Sequence, residues 1–313
     1  KKKFKIHDLG EANFGSITIM KLPSILKILL INRPKYIFIR EEYIAFIISF
    51  IFKNVIYEIH DLNIKKLFIY KSIIKNSLVT LTTSLAIYEN LKKEGVCPKK
   101  MKILSSGFDM SLFSNEVTIT EARKKLNLPL KKKLIMYSGR LSYRKGIYTL
   151  IDSMKYLNDN FLLALVGGFE GEEETVKSYI QQKNLDEKII ICGYQKHSKV
   201  PLFLKAADIL AIPNTAKEEF SKHYTSPIKL FEYMASKKPI IASNVPSISN
   251  IIDKNCAVLV KPDSPKILAT QIKYLANNPH KSEKIATCAY NKVLTESWDN
   301  RSKKIYKIVT ATK

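Results

Sequence analysis

Short apolar, β-branched runs alternate with helical stretches along this chain of 313 residues. A strand that is buried on both faces reads as a continuous apolar run, and such parallel strands are joined by crossover helices. In the first part of the chain the predicted strands are 36–39, 55–59, 78–81 and 101–104, and the predicted helices are 41–53, 65–76 and 84–95. The alternation therefore predicts the α/β class.

A second series of the same kind begins after residue 130. Its predicted strands are 133–138, 161–166, 188–192, 208–212, 239–243 and 256–260. Its predicted helices are 145–157, 172–183, 197–206, 227–236, 247–253, 264–277 and 280–311, the last one broken near Trp298. Between the two series, residues 109–115 read as a loop and 119–126 as a short charged helix, which indicates a linker.

Length and composition fit two domains with a core each, since 46% of the residues are apolar. The predicted organisation is an N-terminal domain 1–113, a linker 114–130, a second domain 131–295, and a C-terminal helix 296–313 that returns toward the first domain. Residues 4–7 read as an inner strand of a doubly wound sheet. The first domain is therefore expected to lack its opening strand, glycine-rich turn and helix.

The chain carries 52 basic and 28 acidic residues, a net charge of +24 that is spread over its length. This balance favours anionic partners such as phosphates or acidic lipid headgroups, although a lysine-rich composition of the source genome explains it equally well. No nucleic-acid-binding motif accompanies the charge, so nucleic acid is not predicted as a partner. The apolar run 43–52 is too short to cross a bilayer, which favours a buried crossover helix over a membrane-surface helix.

Cysteine and histidine are sparse and scattered. Cys97, Cys192, Cys256 and Cys288 form no Cys-x-x-Cys pair, which argues against a zinc site or a disulfide framework and favours a reducing compartment. The five histidines show no i,i+4 spacing, so no metal site is predicted. We recognise no signal-peptide pattern, and the protein is expected to be cytoplasmic.

The segment 224–239 carries the strongest functional signal. It predicts a helix that begins with a serine cap and a proline, so its first backbone N–H groups are available to a phosphate. The candidate residues at this helix start are Thr225, Ser226, Pro227 and Ile228. Glu232 follows about one and a half turns later and could accept hydrogen bonds from ribose hydroxyls. The alternative is an exposed ion pair with Lys229, but the helix has little polar face.

A glycine and two basic residues follow the predicted strand 133–138. Gly139 lets the backbone approach a ligand, while Arg140 offers a planar fork and Lys145 a compact point charge. Together they suit a diphosphate. A tight turn with solvated basic side chains explains the segment equally well.

Two further strand ends carry weaker signals. Gly168 closes a Gly-Gly turn after the strand 161–166, and Gly193 and Tyr194 follow the strand 188–192. The carboxyl ends of parallel strands border the ligand crevice of such sheets, so Tyr194 could border a nucleobase. A structural turn and ordinary aromatic packing are the simpler interpretations.

In the first part of the chain, His60 and Asp61 follow the strand 55–59. A histidine at a strand end suits general acid–base chemistry, and a plain turn is the alternative. His7 and Asp8 form a second pair of the same kind.

Six segments, taken in order, resemble the retaining glycosyltransferases of family 4, which have the GT-B fold. The matching segments are 57–61, 106–113, 138–146, 166–168, 207–213 and 226–239. Each match is weak by itself, whereas six in the family's order are specific. The resemblance implies two Rossmann-like, doubly wound parallel-sheet domains that face a cleft, the first incomplete here. The first would bind mainly the acceptor and the second a UDP- or GDP-sugar.

The resemblance also implies roles for single residues. Arg140 and Lys145 would hold the diphosphate with Gly139 beside them, and Glu232 would hold the ribose. The backbone amides around Thr225, Ser226, Pro227 and Ile228 would contact the phosphate or sugar. Gly168, Gly193 and Tyr194 would border the sugar nucleotide. His60 would reach the transferred sugar and act with Arg140 and Lys145 as a catalytic residue.

No metal or other cofactor is implied, because cations and helix dipoles stabilise the departing diphosphate. The implied acceptor is a glycan or a lipid-linked glycan, and the enzyme would be peripheral at the inner face of an anionic membrane.

Two positions depart from the family pattern. Tyr224 stands where the family's Glu-x7-Glu motif has its first glutamate, and Glu218 or Glu219 could replace it. Lys237 stands where a glycine is common, and a left-handed conformation there would cost about 1 kcal/mol. Two other functions stay open: a non-hydrolysing UDP-sugar 2-epimerase and a catalytically inactive nucleotide-sugar-binding subunit.

Overall fold

A computed structural model describes residues 21–114, 117–224 and 228–312. Contacts divide the chain into two compact units, the first formed by residues 21–104 with 304–312 and the second by residues 105–303. Three groups of sequence predictions lie outside the described residues: the strand at 4–7, the pair His7 and Asp8, and the candidate residues Thr225, Ser226 and Pro227.

The first unit is built on a parallel sheet of four strands. Its strands are β1 (Ile37–Ile39), β2 (Val55–Ile59), β3 (Val79–Thr82) and β4 (Met101–Ile103), in that order across the sheet. Its helices are α1 (Leu22–Asn32), α2 (Glu42–Ile51), α3 (Leu67–Asn76) and α4 (Leu85–Lys93). The predicted strands and the last three helices are confirmed within two or three residues, whereas α1 has no counterpart among the predictions.

Burial in the first unit follows its strands and connecting helices. Strand β2 is buried along its whole length, which explains why its sequence reads as a continuous apolar run. Val309, within 304–312, packs with Ile56, Leu81 and Leu104. Helix α2 buries one side and leaves Phe50 exposed on another, so it is both a crossover helix and a surface helix.

The second unit is built on a parallel sheet of six strands. Its strands are β5 (Lys133–Ser138), β6 (Phe161–Val166), β7 (Ile189–Gly193), β8 (Ile209–Ile212), β9 (Ile240–Ser243) and β10 (Val258–Val260). Across the sheet they lie in the order β10-β9-β8-β5-β6-β7. This is the doubly wound order of dinucleotide-binding domains, in which the winding reverses between β5 and β8 and ligands bind beyond the carboxyl ends of the strands.

Helices cover both faces of this sheet. The helices of this part of the chain are α5 (Ile119–Lys125), α6 (Ile147–Ser153), α7 (Glu172–Gln182), α8 (Val200–Ala206), α9 (Ile228–Ala235), α10 (Pro246–Ser249), α11 (Pro265–Asn277), α12 (Pro279–Val293) and α13 (Trp298–Ala311), whose residues from 304 onward belong to the first unit. Along β5, Leu134 and Met136 join the core that includes α8 and α9, whereas Ile135 and Tyr137 join the core that includes α6 and α11. The helix break predicted near Trp298 is confirmed.

The predicted linker belongs to the second unit where it is described. Thr118 caps α5 through a capping box with Glu121, and the buried Arg123 donates to the carboxylate of Asp208 at 2.6 Å and to the carbonyl of Ala206 at 2.9 Å. Phe113 lies in the core of the same unit. The boundary drawn by contacts, between residues 104 and 105, therefore precedes the predicted boundary at 113.

Cys256 and Cys288 form a disulfide with a Cα–Cα distance of 4.9 Å, and Cys97 and Cys192 are free. The expectation that the cysteines would stay unpaired is therefore wrong for this pair. The two residues are 32 positions apart in sequence, and only the packing of α12 brings them together. None of the described helices is long and apolar enough to cross a bilayer.

Candidate active site

Three glycines stand side by side at the carboxyl ends of β5, β6 and β7. The amide of Gly139 donates to the carbonyl of Val166 at 2.8 Å, and that of Gly167 donates to the carbonyl of Gly193 at 2.8 Å. All three glycines have positive φ, and a Cβ on Gly167 would lie 2.4 Å from the carbonyl oxygen of Gly139. The three strand ends therefore present bare backbone, and the glycines after β5 and β6 form the floor of a pocket.

This pocket has a volume of about 420 Å³ and lies at the switch point of the doubly wound sheet. The predicted site residues that line it are Gly139, Arg140, Gly168, Tyr194, Ile228 and Glu232. Lys145 lines a second pocket, of about 480 Å³, and Arg140 borders both. In the described ranges, no three His, Cys, Asp or Glu side chains are grouped as a metal ion would need.

Glu232 is a buried carboxylate in the wall of the pocket. Glu232 as a whole is 7% exposed, and its Oε1 lies 2.5 Å from Nε2 of His197. The alternative of an exposed ion pair with Lys229 is therefore wrong. His197 itself is not among the predicted site residues, although it follows the carboxyl end of β7, and the strand-end rule that singled out Tyr194 could have found it.

Lys145 lies in the turn that joins β5 to α6. Burial, and then the neighbouring Arg140 and Arg144, hold the pKa of Lys145 below its ordinary value. Gly146 follows with φ of 69°, and a Cβ on it would lie 1.8 Å from the carbonyl oxygen of Pro213. Only glycine allows this turn to pack against the end of β8, and this packing places Lys145 at the switch point.

Arg140 stands at the edge of the pocket. Its guanidinium lies 2.8 Å from Glu172 and 5.1 Å from the centre of the Phe169 ring. Glu172, in the first turn of α7, also accepts from the amide of Leu141 at 2.9 Å. A phosphate bound by Arg140 would compete with this carboxylate.

Two buried tyrosines fix the loop between β5 and Lys145. The hydroxyl of Tyr137 donates to the carbonyl of Arg140 at 2.7 Å, and the hydroxyl of Tyr233 on α9 accepts from the amide of Ser138 at 2.7 Å. Helix α9 and the β5 loop are therefore joined where Glu232 and Gly139 line the pocket.

Glu173 does not line this pocket, but it contacts the backbone beside it. Its Oε1 accepts from the amide of Tyr194 at 3.2 Å, and a Cβ on Gly168 would lie 2.8 Å from its Cγ. Gly193 also faces this carboxylate. Gly168 and Gly193 therefore leave room for an acidic side chain that the sequence analysis did not single out, and Tyr194 is left 75% exposed.

The candidates for the missing first glutamate differ in their surroundings. Glu218 lines the second pocket with Lys145, but its carboxylate lies 2.8 Å from Arg144. Glu219 is exposed and lies near His223. Tyr224 is half-buried at the end of a π-helical turn, Phe220–Tyr224. Glu218 is thus the carboxylate that shares a pocket with the predicted phosphate-binding cations.

His60 lies in the first unit, at the carboxyl end of β2. Its Nε2 lies 2.5 Å from the buried carboxylate of Glu58 and accepts from Nε of Arg40 at 2.9 Å. Arg40 follows β1, so the cluster is formed at two adjacent strand ends. Glu58 and Arg40 were not predicted as site residues, yet both lie within hydrogen-bond distance of the same imidazole nitrogen.

Two of the segments that carry the family resemblance have structural roles. Asp208 accepts from Arg123 and from the amide of Leu134, which ties α5 to the sheet far from the carboxyl ends of its strands. Gly107 packs against Trp298, and a Cβ on it would lie 2.6 Å from that ring.

The sequence profile of the glycosyl transferases group 1 family matches residues 118–292, more than half of the chain. The chain belongs to this family. The matched range contains Arg140, Lys145, Lys229 and Glu232, while His60 lies before it.

Two relatives in the group 1 family illustrate the match. A protein of Bacillus subtilis that carries the name teichuronic acid biosynthesis glycosyltransferase TuaC is 30% identical over 204 residues, which are 65% of this chain and 48% of that protein. D-inositol 3-phosphate glycosyltransferase of Corynebacterium glutamicum is 26% identical over 212 residues, 64% of this chain and 49% of that protein. The chain spans about half the length of the curated relatives it matches.

Solved structures of glycosyltransferases show the same fold. Anabaena Alr3699/HepE in complex with UDP superposes with a TM-score of 0.78 at 19% identity, over 93% of this chain and 82% of that one. A glycosyltransferase of Rickettsia africae superposes with a TM-score of 0.82 at 17% identity, over 98% and 84% of the two chains. The group 1 chain therefore has the predicted GT-B fold with two Rossmann-like domains of parallel sheets.

Proposed function

We propose that this protein transfers a sugar, with retention, from a UDP- or GDP-sugar to a glycan or lipid-linked glycan acceptor. The observation that carries the proposal is the buried carboxylate of Glu232 beside the glycine floor at the switch point of the second unit. Family membership supports it, as do the names of the two relatives and the UDP in the HepE structure.

Charged side chains would hold two parts of the donor: a carboxylate would bind the ribose, and cations would bind the diphosphate. Glu232 would accept hydrogen bonds from the ribose hydroxyls. Its contact with His197 would hold the carboxylate in place. Lys145 and Arg140 would bind the diphosphate, while Gly139 and Gly168 let the nucleotide approach the backbone. Tyr194 and Gly193 would border the base. Amide contacts from Thr225 and Ser226 remain predictions, while Pro227, which has no N–H to donate, would begin the helix.

The chemistry needs a stabilised leaving group more than a protein nucleophile. The bond between the anomeric carbon and the phosphate oxygen breaks, the acceptor oxygen bonds to the same face, and its proton passes to the leaving phosphate. Preorganised cations around that phosphate lower the barrier because negative charge develops there. No metal or other cofactor is part of the proposal.

The first unit would bind mainly the acceptor. Its strand-end cluster of Arg40, Glu58 and His60 supports this, since it brings polar side chains of both charges together at the carboxyl ends of two adjacent strands. His60 is proposed to act on the transferred sugar, as a residue supplied by the first unit.

We also propose that the first unit rests on the inner, cytoplasmic face of an anionic membrane. Phe46 on α2 lies with its ring centre 5.2 Å from Phe50 and 6.4 Å from Phe68 on α3. Phe50 is 55% exposed and Phe68 75% exposed. Exposed lysines on and beside these helices are Lys53, Lys65 and Lys71. Apolar rings among cations suit a surface of anionic lipid headgroups.

A panel of UDP-, GDP- and ADP-sugars tests the donor assignment by thermal shift. We expect one base to raise the melting temperature, by roughly 5 to 10 °C at a hundredfold excess over Kd, because binding there adds about 2.7 kcal/mol. Glu232→Ala should lose most of the shift, whereas Glu283→Ala, on the exposed side of α12, should keep it. No response from any donor would contradict the proposal.

Product analysis then separates the three functions. A transferase gives a glycosylated acceptor, or slow donor hydrolysis without one. A UDP-sugar 2-epimerase gives the epimeric sugar nucleotide without acceptor, and an inactive binding subunit gives a thermal shift and no product.

A further inference from the structure

Lys229 lies in the first turn of α9 and lines the donor pocket. Its side chain is partly exposed, but its Nζ is covered and has no hydrogen-bond partner among the described residues. Glu232, three residues further along the helix, pairs with His197 instead. A cation–π contact with the ring of Tyr137 stabilises its ammonium form in part but supplies no acceptor oxygen. A covered ammonium group without an acceptor is unfavourable, so an acceptor would stabilise it further, and without one the loss of its proton is favoured.

The floor of the pocket leaves room for this nitrogen. Nζ of Lys229 lies 3.7 Å from the centre of the Tyr137 ring, and a Cβ on Gly139 would approach it to 2.7 Å. The absence of a side chain at Gly139 thus places the amino group directly against the bare backbone over which a diphosphate would lie.

Two charged side chains, on different elements, act on the ammonium group of Lys229. Lys145, in the turn after β5, repels its ammonium form, and Glu232 on α9 favours it. Burial and then Lys145 hold the pKa of Lys229 well below its ordinary value. Neither Lys145 nor Lys229 has a carboxylate within ion-pair distance among the described residues. Two such lysines in one place leave an excess of positive charge that an anion would relieve.

We propose that Lys229 is a third phosphate-binding cation of the donor pocket, which pairs with the diphosphate beside Lys145 and takes up a proton as the nucleotide binds. The inference rests on the proposed function, because it needs a nucleoside diphosphate in this pocket. A diphosphate supplies the acceptor oxygens that Nζ lacks and screens the repulsion between the two lysines.

The proposal has a pH dependence of fixed sign. A bound diphosphate raises the pKa of Lys229 toward its ordinary value, so between the free and the bound pKa binding consumes a proton. Affinity then falls as pH rises through that window, by up to tenfold per pH unit. Below the free pKa, Lys229 is charged in both states and adds no pH dependence.

Calorimetric titration of UDP, GDP, uridine and guanosine into the full chain tests this. We expect Lys229→Met to weaken the preferred diphosphate roughly 10- to 100-fold, as for the loss of a charged hydrogen bond, and to change nucleoside binding less than about twofold. Lys229→Arg should recover part of the loss. The control Lys266→Met, at an exposed lysine of α11, should bind both ligands as the wild type does.

Titration at pH 8 in two buffers of different ionisation enthalpy measures how many protons are taken up when the ligand binds. The wild type should take up a larger fraction of a proton with the diphosphate than Lys229→Met does. If Lys229→Met binds the diphosphate like the wild type, or loses nucleoside and diphosphate equally, the inference is overturned and the donor assignment stands. If the wild type binds neither diphosphate, the proposed function fails as well.

Discussion

Glu232 and His60 each lie beside a partner that the sequence analysis did not single out. Glu232 is held by His197, 35 residues earlier, and His60 is held by Glu58, which points to the same side of β2 because side chains two apart in a strand share a face. The second pairing could have been predicted from that two-residue period. The first depends on how α9 packs beside β7, so only the fold decides it.

Lys145→Ala is the sharpest single-residue test of leaving-group stabilisation. We expect turnover to fall roughly 100- to 1000-fold with little change in the KM for the acceptor, because the lost cation acts on charge that develops in the transition state. Steady-state kinetics with a donor identified by thermal shift measures this.

Lys266→Ala, at an exposed lysine of α11, is the matched control and should leave both constants unchanged. Near-wild-type turnover of Lys145→Ala with that donor would remove Lys145 from the catalytic assignment.

At the scale of elements, α9 shows how a departure from the family pattern is tolerated. Lys237, just after this helix, has φ of 56°, the left-handed conformation that favours glycine, as anticipated for this position. Its Nζ lies 4.3 Å from the centre of the Tyr290 ring on α12. The cation–π contact offsets part of the backbone cost and ties the end of α9 to α12.

Two substitutions at Lys237 separate these effects. Lys237→Ala keeps the strained backbone and loses the cation–π contact, so it should destabilise the protein. Lys237→Gly should be about 1 kcal/mol more stable than Lys237→Ala, because glycine pays no left-handed penalty.

Urea unfolding of both variants measures the difference. At Lys273, an exposed residue in the interior of α11, the order should reverse, with glycine about 1 kcal/mol less stable than alanine. The same order at both positions would contradict strain at Lys237.

At the scale of the whole molecule, the net charge of +24 and the exposed aromatic cluster of the first unit both support the proposed binding to an anionic membrane surface. We expect the full chain to sediment with vesicles that contain acidic lipids and to remain in solution with neutral vesicles. Electrostatic attraction should weaken as salt rises and leave the apolar contribution.

Phe50→Ser with Phe68→Ser should reduce sedimentation with acidic vesicles, because it removes the two most exposed rings of that cluster. Leu130→Ser, at an exposed apolar residue of the second unit, is the matched control. Wild-type protein that stays in solution with acidic vesicles at moderate salt would contradict a membrane-bound position.

The amino-acid sequence by itself determined where the strands and helices lie and which strand ends carry glycine and basic residues. These features depend on hydrophobic period and turn chemistry, which act over a few residues. It did not reveal α1, the docking of α5 through Arg123 and Asp208, or the pairing of Cys256 with Cys288.

Tertiary structure alone decided the strand order, the pairing of Glu232 with His197, and the position of Lys229. From the sequence, Lys229 could be an exposed ion-pair partner of Glu232 on the helix. In the fold, its amino group lies against Tyr137 and Gly139. Burial and long-range charge arise only when distant segments pack together. They turn a lysine that the sequence places on the helix surface into a covered amino group in a pocket, the feature on which its proposed phosphate-binding role rests.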